Sequence, residues 1–367
     1  MTHFFTGASR RPAAHARPDH REAAARLVQE TLARHGLAGN IGVSPGAAGA
    51  SGLGEALASA LQGALSPQGL GRIAPVADAT PADVNFTRHS FACDAGSRDY
   101  RLYVPESAKD GATALVVMLH GCTQTPEDFA AGTGMNALAD AHGVIVVYPA
   151  QARGANAQSC WNWFGPGDQV RDRGEPAIIA GLTREVIASY RIPSGRAFVA
   201  GLSAGGAMAV ILGQSYPDLY AGVGVHSGLP YASASDVASA FSAMGGNPRQ
   251  AAQRPRSMRH VPTIVFHGTA DATVHPTNGE FIARDALSSE GDAQIQTTER
   301  GAMAGRAFER RITSRPDGRT SVEHWEVDGL AHAWSGGRPA GSYTDPKGPD
   351  ASAEMIRFFL ELDDGGK

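Results

Sequence analysis

Cysteine is scarce in this sequence. The 367 residues include three cysteines, Cys93, Cys122 and Cys160, so at most one intramolecular disulfide can form. This excludes the small folds that several disulfides hold together. The cysteines also lack the paired spacing that marks a structural zinc site, and we expect neither a metal nor another cofactor. The chain is long enough to bury a sizeable hydrophobic core instead.

Long apolar runs and an excess of one charge are also missing. No run of about 18 apolar residues occurs, which predicts no membrane span. The N-terminal MTHFFTGASRRPAAHARPDHRE lacks the apolar core of a secretory or twin-arginine signal, which predicts a cytoplasmic location for the sequence as written. The formal net charge is -4, so no nucleic-acid partner is expected. One local stretch, 249–260, is basic and is either a solvated loop or an anion-binding patch.

Glycine and proline are abundant, with 45 and 22 residues, which indicates many turns and long loops. In the first 83 residues they are mixed with alanine and serine, as in linkers. Asp19 can cap one amphipathic helix in this region, and residues 55–65 predict a second. We place a domain boundary near residue 83, so that a small helical N-terminal extension over 1–83 precedes a catalytic domain over 84–365.

Beyond residue 83, apolar β-branched segments alternate with segments of helical character. Apolar strands without alternation are typical of a parallel sheet that is buried on both faces. The pattern therefore predicts an α/β fold, a mostly parallel sheet flanked by helices. An opening hairpin is predicted over 84–91 and 100–104, joined by the turn-rich CDAGSRD. Further strands are predicted at 114–120, 144–148, 197–200, 222–227, 263–268 and 322–327, and helices at 126–142, 175–190, 204–216, 278–287 and 350–362.

A candidate nucleophile follows the strand at 197–200. The residues Gly201-Leu202-Ser203-Ala204-Gly205 match the pattern G-x-S-x-G and lead into a predicted helix. A sharp strand-to-helix turn needs small residues on both sides of the serine and presents its hydroxyl at the sheet edge. The five-residue motif by itself is also consistent with a glycine-rich turn that contains a capping serine. The position between strand and helix favours Ser203 as a nucleophile.

A serine hydroxyl needs a base to accept its proton and an acid to hold that base in the right tautomer. With this type of nucleophile, the acid and the histidine come later in the chain, each after a strand. Asp271 and His332 occupy these positions, and we predict them as the acid and the base. The rival acids Asp236, Asp285 and Asp292 lie in or beside predicted helices. The rival histidines His120, His267, His275 and His324 close strands, lie inside one or follow Asp271 too closely.

An acyl-transfer intermediate also needs preorganised donors for its oxyanion. One candidate is the backbone amide of Ala204, directly after the nucleophile. The other is the amide of Cys122, in the loop after the strand at 114–120. The alternative for this loop is that His120 and Gly121 merely end a strand.

Five segments in order carry a resemblance to a known family. They are LHGCTQTPEDFAAGTGMNALADAHGVIVVYPAQ, CWNWF, GLSAGGAMAVILGQSYPDLYAGVGVHSGLPYA, HGTADATVHPTNG and GLAHAWSGG. Together they resemble the poly(3-hydroxybutyrate) depolymerase family of esterases, which has the α/β-hydrolase fold and is similar to feruloyl and acetylxylan esterases. The resemblance covers roughly residues 84 to 362 and leaves out the first 83.

The resemblance implies the site residues already predicted: Ser203, Asp271, His332 and, for the oxyanion, Cys122. It further implies that the loop containing Cys160 lies beside the site, where Cys122 could bridge to Cys160. Members of this family are often extracellular, in contrast to the location that the N-terminus predicts.

Three of the four tryptophans, Trp161, Trp163 and Trp334, fall in segments that are expected near the pocket. Their rings could receive an acyl chain or an aromatic ring of the substrate, and we predict them as substrate-binding residues. The alternative, that they pack the loops against the core, stays open.

The sequence thus predicts a cofactor-free serine esterase that acts on small or polymeric esters, first of all hydroxyalkanoate esters, with feruloyl or acetyl esters as an alternative. A second hypothesis is an amide hydrolase of a polymer such as poly(aspartic acid), which the basic stretch at 249–260 would favour. A third is a polymer-binding module with an adhesive N-terminal segment, against which the complete triad argues. The oligomeric state is left open.

Overall fold

A ten-stranded sheet forms the centre of this protein in the computed structural model, which describes residues 85–249, 260–287 and 294–362. The predicted N-terminal helices, the domain boundary near residue 83, Asp292 and most of the basic stretch lie outside these residues. The strands are β1 Phe86–Cys93, β2 Gly96–Tyr103, β3 Ala114–Leu119, β4 Val144–Pro149, β5 Ala197–Leu202, β6 Gly222–His226, β7 Thr263–Gly268, β8 Ile295–Met303, β9 Arg306–Ser314 and β10 Thr320–Val327.

The sheet has the order β1-β2-β4-β3-β5-β6-β7-β10-β9-β8. The six central strands, from β4 to β10, pair in parallel, and the two strands at each end are antiparallel. The predicted mostly parallel sheet is therefore confirmed. The carboxyl ends of the six parallel strands meet at one edge, where ligands bind in sheets of this kind.

Helices cover both faces of the sheet. Alternate residues of β3 and β4 point into two separate clusters, so each strand contributes to both halves of the core. Burying one aliphatic side chain in this way contributes about 1.5–3 kcal/mol. None of the described helices is long and apolar enough to span a membrane. The helices are α1 Pro126–Thr133, α2 Met135–His142, α3 Gly174–Tyr190, α4 Ala204–Ser215, α5 Val237–Met244, α6 Thr277–Leu287 and α7 Ala351–Glu361.

Two predicted elements differ in their bounds. The opening hairpin turns over Asp94 and Ala95 alone, because Cys93 already pairs with Gly96; β1 is mostly exposed, so its pairing does not require apolar residues. The single helix predicted over 126–142 is two helices. Gly134 ends α1 with a φ of 64°, a left-handed conformation that glycine adopts without strain, and its amide donates to Ala130 O at 3.0 Å.

Three elements were not predicted from the sequence: the hairpin of β8 and β9, and helix α5. Every residue of β8 is exposed, so its sequence lacks the apolar run by which the central strands were recognised. Helix α5 has only eight residues, which is short for recognition by periodicity. A second, two-stranded sheet is formed by β11 Trp334–Ser335 and β12 Thr344–Asp345, which pair in parallel.

Candidate active site

Ser203 lies on a tight turn between β5 and α4. Its φ of 58° and ψ of -119° define a backbone conformation that few residues other than glycine adopt. The flanking glycines allow the backbone to approach closely: a Cβ on Gly201 would lie 2.4 Å from the Gly205 backbone, and one on Gly205 would lie 2.1 Å from Leu119 O. The small residues of the G-x-S-x-G pattern are thus required by packing as well as by the turn.

The main chain and side chain of Ser203 are held differently. Its amide donates to His226 O at 2.9 Å, which anchors the turn to the neighbouring strand β6. The side chain is half-buried, and its hydroxyl makes no hydrogen bond within the part of the chain that the structure describes. The hydroxyl is therefore available to contact a substrate.

The structure brings Asp271 and His332 together. Asp271 follows β7, and His332 follows the adjacent strand β10. His332 Nδ1 lies 2.7 Å from Asp271 Oδ2. Because a carboxylate can only accept, Nδ1 donates this hydrogen bond and Nε2 on the far side of the ring remains available as a base. The other carboxylate oxygen accepts from the amides of Thr273 at 2.9 Å and Val274 at 2.8 Å.

The surroundings of Asp271 keep it ionised. Burial by itself raises the pKa of the carboxyl, but the neighbouring His332 and His267 outweigh it and hold the pKa well below its ordinary range. His267 Nε2 lies 3.5 Å from Asp271 Oδ2 and 2.8 Å from Val274 O. The acid is therefore a charged acceptor that orients His332 over the whole range in which proteins are usually stable.

The loop after β3 is fixed by a buried histidine. The Gln151 amide donates to His120 Nε2 at 3.1 Å, so the proton of the ring is on Nδ1, which donates to Gly121 O at 2.8 Å. Burial lowers the pKa of His120 to about 4, which keeps the ring neutral. The amide of the same residue, Gly121, donates to Gln124 Oε1 at 2.9 Å.

The two predicted oxyanion donors have no competing acceptor. Neither the amide of Cys122 nor that of Ala204 donates to a residue within 85–249, 260–287 or 294–362. Ala204 is the first residue of α4, whose N-terminus carries a partial positive charge. The arrangement favours a negative charge beside Ser203.

Cys122 and Cys160 form a disulfide, which the resemblance had implied without deciding. It ties the loop after β3 to the loop after β4. The indole of Trp161, the next residue, donates to His120 O at 3.0 Å. The loop of the candidate oxyanion residue Cys122 is thus joined to the loop after β4 by a covalent bond as well as by hydrogen bonds.

All three tryptophans that we predicted as substrate-binding residues are buried. Trp161, Trp163 and Trp334 are 0%, 5% and 1% exposed. The ring of Trp334 stacks on His226 and donates to Ser352 Oγ at 3.0 Å. This burial favours the alternative that the tryptophans pack the loops against the core.

Two histidines beside the site were missed as functional residues. His226, at the end of β6, accepts from the Ser335 amide at 3.0 Å and from the Ser203 amide through its carbonyl. His267, at the end of β7, was weighed only as a rival base, although it supports Asp271. Both end a central strand, and this position was the signal that could have identified them.

The rival residues have other partners. Asp236 caps α5 by accepting from the Ser239 amide at 2.8 Å, which agrees with its interpretation as a residue beside a helix. Asp285 Oδ1 lies 3.2 Å from Arg284, and His275 Nδ1 lies 2.9 Å from Thr277 Oγ1. His324 lies inside β10, next to Arg311. Within the described residues, no group of three or more His, Cys, Asp and Glu side chains is arranged to hold a metal ion.

The chain is similar to several known proteins. Poly(3-hydroxyalkanoate) depolymerase C of Paucimonas lemoignei is 31% identical over 259 residues, which are 66% of this chain and 60% of that protein. Poly(3-hydroxybutyrate) depolymerase of Ralstonia pickettii is 28% identical over 244 residues, 62% of this chain and 49% of that protein. Acetylxylan esterase A of Talaromyces purpureogenus is 26% identical over 236 residues, 54% of this chain and 59% of that protein. The chain thus spans about half to three fifths of the length of these relatives.

The fold is shared with a solved structure. The acetyl xylan esterase from Aspergillus awamori superposes with a TM-score of 0.52 at 19% identity, covering 71% of this chain and 93% of that one. At this identity, the likeness shows the α/β-hydrolase fold and no more. The family described as esterase PHB depolymerase matches residues 98–311, which is more than half of the sequence. The chain therefore belongs to the esterase PHB depolymerase family.

Proposed function

We propose that this protein is a serine hydrolase of carboxylic esters with Ser203, His332 and Asp271 as its catalytic triad. The observation that carries the proposal is the 2.7 Å hydrogen bond between His332 Nδ1 and Asp271 Oδ2, at the sheet edge that also bears Ser203. This bond sets the tautomer of His332 in which Nε2 can accept a proton.

The reaction follows from this arrangement. The Ser203 oxygen attacks the ester carbonyl while His332 Nε2 accepts its proton, and the oxyanion is stabilised by the amides of Cys122 and Ala204. Protonated His332 then donates to the leaving alcohol, which leaves an acyl group on Ser203. A water molecule that His332 deprotonates attacks this acyl-enzyme, and the acid is released as Ser203 regains its proton.

Hydroxyalkanoate esters, in oligomers or polymers, are the proposed substrates. The names of the relatives from Paucimonas lemoignei and Ralstonia pickettii support this class. A second candidate is an acetyl or feruloyl ester of a plant polysaccharide, which the relatives from Talaromyces purpureogenus and Neurospora crassa favour. The amide hypothesis has no such support, because the relatives named here are polyester depolymerases and esterases. Most of the basic stretch that motivated it lies outside the described residues.

Replacing the nucleophile tests the proposal. We expect Ser203→Ala to lower the turnover of p-nitrophenyl butyrate by up to roughly 10⁶-fold, as removal of a triad nucleophile does in other serine hydrolases. A fluorophosphonate should label the wild-type protein once, at the peptide containing Ser203. The matched control is Ser107→Ala, since this serine hydroxyl only donates to Asp140 O at the surface. Undiminished hydrolysis by Ser203→Ala would refute the assignment.

A comparison of substrates separates the two ester classes. Release of 3-hydroxybutyrate from its oligomers, and of acetate from acetylxylan, is measured at equal protein concentration. A kcat/KM that is higher for the oligomers supports the hydroxyalkanoate class. The reverse order would favour the polysaccharide esters.

A further inference from the structure

Two residues other than glycine with a positive φ meet at the edge of the site. Thr123 has a φ of 68° and Tyr343 a φ of 52°. Thr123 is β-branched, and such residues rarely adopt this conformation. The Thr123 Oγ1 and the Tyr343 hydroxyl oxygen are 3.3 Å apart, although the residues are separated by 220 positions in the chain. Strain of this kind persists where the surroundings impose it, and it concentrates at ligand sites.

The pair joins the two loops that flank Ser203. Thr123 directly follows Cys122, whose amide is a proposed oxyanion donor. Tyr343 accepts through its carbonyl from the Trp334 amide at 2.7 Å, and Trp334 is two residues after the proposed base His332. The two hydroxyl groups therefore connect the loop after β3 to the loop that follows His332.

Both loops are held rigidly. The Thr123 amide donates to Gln158 O at 2.7 Å, and the adjacent Cys122 is fixed by its disulfide. On the other side, the Ser342 amide donates to Asp128 Oδ1 at 2.8 Å, and the Gln124 side-chain amide donates to Ser342 O at 3.1 Å. The hydroxyl pair is thus presented in one geometry, as preorganised binding requires.

The pair has hydrogen-bonding capacity left over. Each hydroxyl has one donor and two acceptor positions. The bond between them uses a single donor, so one O–H and several lone pairs remain. Thr123 is exposed and Tyr343 is half-buried, which leaves these positions accessible to a ligand. The chemical partner that fits is a hydroxyl or ester oxygen close to the scissile carbonyl.

We propose that Thr123 and Tyr343 bind the oxygen on carbon 3 of the acyl group, and so select 3-hydroxyacyl esters over plain acyl esters. This inference rests on the proposed function. The carbonyl oxygen would lie at the Cys122 amide, and Thr123 is the next residue. In this arrangement the oxygen on carbon 3, two carbons from that carbonyl, is placed beside the Thr123 side chain. In a polyester, the same position is occupied by the oxygen of the next ester bond.

A pair of matched esters tests this proposal. The kcat/KM for ethyl (R)-3-hydroxybutyrate is divided by that for ethyl butyrate, which lacks the oxygen on carbon 3. Tyr343→Phe and Thr123→Ala each lower this ratio by about 3- to 10-fold, since each removes a hydrogen bond to the substrate. Thr123→Ser keeps the hydroxyl and retains the ratio of the wild-type protein. Tyr190→Phe, at the C-terminal end of α3, is the control for loss of a tyrosine hydroxyl.

The outcomes separate the pair from the triad. A purely structural role of the pair would lower both kcat/KM values together and leave the ratio unchanged, and this result would overturn the proposal even if turnover falls. The melting temperature of each variant shows whether it folds. If either Tyr343→Phe or Thr123→Ala does not fold, the ratio measured with the other variant tests the proposal. If the wild-type protein hydrolyses neither ester while Ser203 resists fluorophosphonate, the proposed function fails and the assignment of the pair falls with it.

Discussion

At the scale of single residues, the chemistry of this site depends on where protons are held. The amide of Gln151 fixes the tautomer of His120, and the carboxylate of Asp271 fixes that of His332. In each case the partner can play only one role, which leaves the opposite ring nitrogen with a defined state. The site is thus assembled from hydrogen bonds with a defined direction.

Asp271→Asn should separate orientation from charge. The amide carries no charge to stabilise protonated His332, and its NH2 group can donate to Nδ1 and favour the wrong tautomer, so we expect kcat to fall by about 10⁴-fold at neutral pH. Initial rates with p-nitrophenyl butyrate give the measurement. Asp236→Asn is the matched control, because asparagine caps a helix as well as aspartate does. Equal activity of the wild-type protein and Asp271→Asn would mean that another carboxylate serves as the acid.

Gly205→Ala tests the packing of the turn. The added Cβ would lie 2.1 Å from Leu119 O, so β3 or the turn must move. We expect the free energy of unfolding to fall by about 3 kcal/mol, the upper end of the usual cost of overpacking. Urea denaturation gives the value. Gly154→Ala is the control, since a Cβ there meets nothing within 4 Å; equal loss in both variants would contradict this explanation of the pattern.

At the scale of elements, the loops after β3, β5, β7 and β10 carry the candidate site residues. The strands position these loops at one edge of the sheet. The loop after β3 is held by contacts with neighbouring segments of the chain. Its support comes from the disulfide to Cys160 and from Gln124, which lies two residues before α1 and accepts from the Gly121 amide. Rigidity at the proposed oxyanion donor Cys122 therefore depends on neighbouring loops.

Removing the disulfide should weaken both stability and turnover. The bridge closes a loop of 38 residues, so the variant Cys122→Ser/Cys160→Ser should lose about 3–4 kcal/mol of unfolding free energy. The Cys122 amide is kept but its loop is freed, so we expect kcat to fall more than KM rises. Cys93→Ser, at an exposed free cysteine, is the control. An unchanged kcat would show that the hydrogen bonds of His120 and Gln124 hold the loop alone.

At the scale of the whole molecule, three buried histidines link folding to pH. Burial lowers the pKa of His120 to about 4 and those of His226 and His324 to about 3. In the unfolded chain such groups titrate near pH 6.5, at about their reference value. Between about pH 6.5 and pH 4 the unfolded chain therefore binds more protons than the folded one, and acid destabilises the fold.

The predicted slope follows from this count. From these three groups, the free energy of unfolding is nearly constant above about pH 8 and falls by up to about 4 kcal/mol per pH unit near pH 5. Asp271 adds to this loss only at lower pH, because the pKa of its carboxyl is depressed. Urea denaturation at pH 7.5, 6.0 and 5.0 measures the slope, and His324→Gln should reduce it by about one third. Equal stability at the three pH values would contradict the prediction.

The sequence by itself determined the fold class, the family and the order of the candidate residues. These depend on local patterns: apolar runs predict buried strands, and the glycines around Ser203 reflect a turn that permits no larger residue. The same patterns did not predict β8, whose exposed residues carry no apolar run, or the break at Gly134, where one residue changes its φ.

Only the tertiary structure decided which distant residues meet. It joined Cys122 to Cys160, buried the three tryptophans, placed His332 beside Asp271 and brought Thr123 to Tyr343. The disulfide, the hydrogen bond of His332 and the Thr123–Tyr343 pair each link different loops, and the last of them spans 220 positions in the chain. The energy of such a contact depends on how the whole sheet packs, so the residues next to it in the sequence do not predict it.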